Sequence, residues 1–135
     1  MDAHLAPYAA SLAGLVGMGG LYLLQAIIAD VVGIRAGHVP GMPVASGHDD
    51  LLFRATRAQA NTNESLPALI LLNLSAVLLG ASPRWTNGLV VVFVAARLAH
   101  MLAYYADLRT PRSAAFAVGF ACLVGLFICA AATLV

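Results

Sequence analysis

At 135 residues, with 61% hydrophobic and 10% charged residues, the chain falls far below the roughly 25% charged content of a soluble domain. A formal net charge of +1, with no basic run and no interleaved aromatic stripe, gives no basis for nucleic-acid binding. The length is expected to hold one membrane domain, residues 1–135, and no separate soluble module.

Four hydrophobic segments predict an all-α, integral-membrane four-helix bundle. The first helix is expected over residues 5–32, too long and too lightly flanked for a signal peptide. Asp2 is placed to cap it, and it should end near Asp30. Gly14, Gly17, Gly19 and Gly20 lie along it and permit close contact between helices. Residues 33–50 contain Gly33, Gly37, Pro40, Gly41, Pro43 and Gly47, which is loop chemistry.

The second helix is expected over residues 50–79. Some 30 residues make roughly 45 Å, longer than a hydrocarbon core of about 30 Å. Its first half therefore projects toward the headgroups. That half carries a polar ladder: Arg54, Arg57, Asn61 and Glu64 at i, i+3, i+7 and i+10. They share one face, within an arc of roughly 80° at 3.6 residues per turn. A bare charge near the bilayer centre costs at least ~2.5 kcal/mol, so this stripe faces partner helices, water or a polar ligand. Pro67 removes the bond to the carbonyl of Asn63 and bends the helix. It reads either as a tolerated membrane kink or as the shape of a cavity beside Asn63 and Glu64.

The third helix is expected over residues 85–106, with Trp85 at a membrane interface. Arg97, His100, Tyr104 and Asp107 repeat the spacing of the first ladder. Gln25 and Asn73 read as interhelical hydrogen-bonding residues. After a polar loop the fourth helix is expected over residues 112–134, with Pro111 suited to its first turn. Cys122 and Cys129 lie about 10 Å apart along it, beyond disulfide reach, and read as small apolar packers. No metal-binding spacing is present.

Charge placement orients the bundle. Arg35, Arg54, Arg57, Arg109 and Arg112 flank the first and third loops, against Arg84 alone on the other side. The positive-inside rule puts those loops in the cytosol and both termini outside. All seven basic residues are arginine, through codon bias or because several bind anions bidentately. The two ladders read either as a structural ion network between helices or as a net-positive site for an anionic ligand.

The run Arg54-x-x-Arg57-Ala-Gln59-x-Asn61-x-x-Glu64-x-x-Pro67 is followed by Arg97-Leu-Ala-His100-x-x-Ala-Tyr104 and then by Arg109-x-Pro111-Arg112-Ser113. Together these resemble the MAPEG family, the membrane-associated proteins of eicosanoid and glutathione metabolism. That family includes microsomal glutathione transferases and membrane prostaglandin E synthase. The resemblance covers residues 51–135, and the four-helix pattern covers the rest.

The resemblance implies a homotrimer that binds glutathione between neighbouring protomers, near the cytosolic face. Carried over by position, Arg54, Arg57, Asn61, Glu64, His100, Tyr104, Arg109, Arg112 and Ser113 line that site. Glu64 and Asn61 hold the γ-glutamyl end, and Arg54 with Arg35 holds carboxylate ends. Arg57 and Arg109 contact the tripeptide or brace its pocket. Arg112 is the catalytic residue, because a guanidinium beside a thiol favours the nucleophilic thiolate, and Ser113 adds a hydrogen bond to sulfur.

Against the prostaglandin branch, Phe116 replaces a tyrosine, Gln59 replaces a histidine, and one residue is missing between Pro111 and Arg112. The reaction expected is therefore glutathione transfer to hydrophobic electrophiles, with reduction of lipid hydroperoxides as a second outlet. Its partners are glutathione, a hydrophobic or lipid substrate and membrane lipids. The alternative is a non-catalytic lipid-binding or scaffold member of the same fold. A small transporter is a third class, disfavoured because the first ladder stays on one side of the membrane.

Overall fold

The computed structural model describes residues 3–45 and 47–135, and the cap expected at Asp2 lies outside them. A 3-10 turn, Ala6–Tyr8, leads into α1 (Ala9–Arg35), followed by α2 (Leu51–Leu78), α3 (Pro83–Tyr105) and α4 (Arg109–Ala131). Among the described residues there is no strand. Three of the four helices are long and apolar enough to cross a membrane, and α2 is not among them. Its length suffices, but the polar ladder occupies its first half.

Helix ends follow local chemistry. Asp50 caps α2, its carboxylate accepting from the Leu52 N–H at 2.8 Å. α3 starts at Pro83, two residues earlier than expected, because proline is pre-organised for a first turn. Three helices stop with the same motif. After α1 the N–H of His38 reaches Gly33 O around Gly37 at φ +66°, and after α2 the N–H of Ala81 reaches Ala76 O around Gly80 at φ +71°. After α3 the N–H of Leu108 reaches Ala103 O, and here the left-handed residue is Asp107, φ +53°. Asp107 therefore ends α3 rather than extending its ladder. The Gly37 stop carries α1 three residues past its expected end, to Arg35. α4 begins at Arg109, not Arg112, so Arg109 belongs to a helix rather than to the loop.

α3 packs against α1, α2 and α4, and α2 also packs against α1 and α4. α2 and α3 thus form the centre, and α1 and α4 flank them. The core joins Met18 and Leu21 to Leu69, to Val90, Phe93 and Met101, and to Cys122 and Leu126. Both cysteines are free: Cys122 is in this core and Cys129 packs against a smaller alanine cluster. Of the α1 glycines only Gly14 is needed for close approach. A Cβ there would stand 2.5 Å from Val90 Cγ1, while Gly17, Gly19 and Gly20 face open space. Gln25 and Asn73 are fully buried, yet neither amide finds a hydrogen-bond partner among the described residues, contrary to their expected role.

The end of the bundle opposite the arginine cluster is tied by polar contacts. The Tyr8 hydroxyl donates to Ala81 O. Asn87 accepts from the Ser11 N–H at 2.9 Å and donates to Pro7 O at 2.8 Å. At the opposite end the first and third loops meet, which brings the start of α4 against residues of the loop before α2.

Candidate functional site

The two ladders join at one point. Arg97 is 1% exposed, and its Nη2 donates to Asn61 Oδ1 at 2.7 Å and to Thr62 Oγ1 at 3.3 Å. A guanidinium can be buried this deeply only with acceptors aimed at it. Beside this pair a cleft of about 260 Å³ opens between α2 and α4. Asn61, Glu64 and Arg97 form its polar end, and Phe116, Phe120 and Leu123 its apolar end. Glu64 is exposed on the single protomer.

Toward the loop end, His100 and Tyr104 are buried one turn apart, their rings edge-on with centroids 5.0 Å apart. The Arg112 guanidinium carbon lies 4.5 Å over the Tyr104 ring, a cation–π arrangement. Arg112 Nη1 is 3.3 Å from His48 Nδ1. A guanidinium only donates, so Nδ1 is the acceptor and the ring proton resides on Nε2. The His48 ring also meets Phe53 edge-on at 5.1 Å and Tyr104 at 6.1 Å. Its carbonyl accepts from Arg54 Nη1 at 2.5 Å. A loop residue thus gathers side chains from α2, α3 and α4.

The Arg112 N–H bonds to Leu108 O and is spent inside the helix. The donors left free by the start of α4 belong to Arg109 and Thr110, since Pro111 has none. Ser113 is exposed and its hydroxyl donates to Arg109 O at 3.1 Å. Arg35, Arg57 and Arg109 are exposed, and among the described residues none of the three bonds to the Arg112–His48 cluster. Six of the expected residues therefore fall into two groups, and Arg35, Arg57, Arg109 and Ser113 join neither. Asn61 and Glu64 lie at the cleft, and Arg54, His100, Tyr104 and Arg112 lie at the loop end. A larger cavity of about 500 Å³ beneath the first loop is lined by Asp30, His38, Thr56 and Gln59, and holds none of the expected ligand-binding residues.

His48 has no role that the sequence alone would suggest. The only pointer to it is position: it stands two residues before the α2 cap, on the same side as Arg112. Arg97 was visible in its ladder, but its partner Thr62 was not.

These features define a helical membrane protein with a cationic, aromatic-walled site at one end of its bundle. A profile of the MAPEG family matches residues 8–132, and the chain belongs to that family of membrane proteins in eicosanoid and glutathione metabolism. No curated protein matches the chain.

Proposed function

We propose that the protein is a membrane glutathione transferase, conjugating hydrophobic electrophiles through a thiolate stabilised by Arg112. The observation that carries this reading is the Arg112 guanidinium, held over Tyr104 and close to Arg54 by way of His48. Fixed donors aimed at a developing anion supply much of the rate enhancement in many enzymes. Arg54, Asn61 and Glu64 hold the ends of the tripeptide, and the same thiolate reduces lipid hydroperoxides. The hydrophobic partner arrives through the bilayer, where it is already concentrated, while the charged partner is placed by the arginines.

A single protomer supplies too little enclosure for such a ligand. The cleft holding Asn61 and Glu64 measures about 260 Å³, and typical ligand pockets hold about 300–1,000 Å³. We therefore place glutathione between protomers of a homotrimer, with the arginine-rich end in the cytosol and both termini outside. The test is glutathione titration of the solubilised protein, following thiolate absorbance and conjugation of a hydrophobic electrophile. A saturable thiolate band with conjugate formation is expected. Binding without either would replace this reading with a non-catalytic one.

A further inference from the structure

Deprotonating a thiol requires somewhere for the proton to go, and Arg112 cannot be that place. A guanidinium stabilises the anion but has no acceptor. Tyr104 meets Arg112 through its ring face. The Ser113 hydroxyl is turned onto the backbone of its own helix. The His100 ring is buried behind Tyr104, and Glu64 lies in the cleft on α2. The imidazole nitrogen that faces Arg112 is His48 Nδ1, at 3.3 Å from Nη1.

We propose that His48 is the base that takes the thiol proton at this site, a role that rests on the glutathione reading above. A sulfur hydrogen-bonded to Arg112 Nη1 shares its donor with Nδ1, and so stands within one contact of it. The lone pair on Nδ1 points at Arg112 Nη1, and it becomes free to take a proton when that N–H turns from Nδ1 to the arriving sulfur. In the step the S–H bond breaks, its electron pair stays on sulfur, and the proton forms an N–H bond at Nδ1. The products are a thiolate beside Arg112 and an imidazolium with both nitrogens protonated. After conjugation the imidazolium returns the proton to the leaving anion or to water.

Four side chains from the three neighbouring helices surround His48. Facing His48 are Arg112 from α4, Tyr104 from α3, and Phe53 and Arg54 from α2, Arg54 through the His48 carbonyl. Asp49 and Asp50 follow it in the chain, Asp50 serving as the α2 cap. Histidine suits this work because it changes charge between pH 5 and 8.

The test follows two signals together when glutathione is mixed with wild type and with His48→Asn in weak buffer. One is thiolate absorbance, and the other is proton release, read with a pH indicator. Asparagine keeps an acceptor for Arg112 but is no base. In wild type fewer protons than thiolates should appear, since His48 retains them. In His48→Asn the ratio should rise to one, and the thiolate should form on the order of 100-fold more slowly, with glutathione affinity largely kept. Equal ratio and rate in the two proteins would overturn the proposal. So would loss of glutathione binding in His48→Asn alone, which would make His48 a binding residue. A wild type that binds no glutathione would instead remove the transferase reading, and this proposal with it.

Discussion

At the scale of single residues, two positions near the third loop separate chemistry from architecture. In the proposed mechanism Arg112 acts through its side chain alone, because its own N–H is already bonded to Leu108 O. Arg112→Ala should cut turnover by about 10²–10³-fold, the cost of removing one fixed donor from a developing anion. It should also lower the thiolate fraction of bound glutathione while leaving most of the affinity, which Arg54, Asn61 and Glu64 supply. Arg109→Ala is the control, since the side chain is exposed and makes no bond to the cluster among the described residues. If Arg109→Ala abolishes the thiolate and Arg112→Ala spares it, the assignment is reversed. Asp107 presents the opposite case. At φ +53° it holds a conformation that costs an L-residue up to about 1–2 kcal/mol and glycine nothing. One of its carboxylate oxygens is buried without a hydrogen bond among the described residues. Asp107→Gly should therefore raise the melting temperature and leave turnover unchanged. Lost turnover in a folded, stabilised variant would return the carboxylate to the site.

At the scale of elements, the approach of α1 to α3 is decided at one glycine. Gly14→Ala sets a methyl against Val90, a side chain with a stiff first torsion, and should cost about 1–3 kcal/mol. Gly17→Ala, facing open space, should be neutral or stabilising by up to about 1 kcal/mol through helix propensity. Thermal unfolding in one detergent compares them, and equal shifts would mean α1 does not seat on α3 this way. Which of four glycines mattered was hidden in the sequence, because helix crossing points depend on packing that a periodic pattern does not encode. The helices themselves were readable, and their ends nearly so, since Asp50, Pro83, Gly37 and Gly80 act through local backbone chemistry. The end of α3 was read to within a residue, though its left-handed residue is an aspartate, which adopts that conformation far less often than glycine. Two ladders of equal period, each needing shelter from lipid, pointed to a contact between helices, but not to the particular Arg97–Asn61 pair. His48 was not: its contact with Arg112 spans 64 residues and depends on the path of an irregular loop.

At the scale of the whole molecule, the surface of one protomer bears on the trimer proposed above. Glu64 and Arg57 are exposed on α2, while Leu23, Ile27, Phe120 and Phe127 present the apolar faces expected against acyl chains. Exposed ladder charges need either water or a neighbouring chain. The proposed cyclic trimer would meet this need at three equivalent interfaces, if each brings the α2 ladder of one protomer to the α3–α4 side of the next. The arrangement has a consequence that simple mass measurement lacks. Glu64→Gln should weaken glutathione by about 10- to 100-fold, the ~1.5–3 kcal/mol of a charge-assisted hydrogen bond, and Arg112→Ala should abolish most turnover. If Glu64 and Arg112 of one site come from different chains, co-expressing the two variants rebuilds intact sites from defective partners. Random mixing pairs an intact Glu64 with an intact Arg112 at about one interface in four, so about a quarter of wild-type turnover should return at low glutathione. Variants purified separately and assayed together without subunit exchange should show no such recovery. If co-assembled trimers, verified by differential tags, stay as inactive as their parents, both residues of a site belong to one protomer and the shared-interface arrangement is wrong.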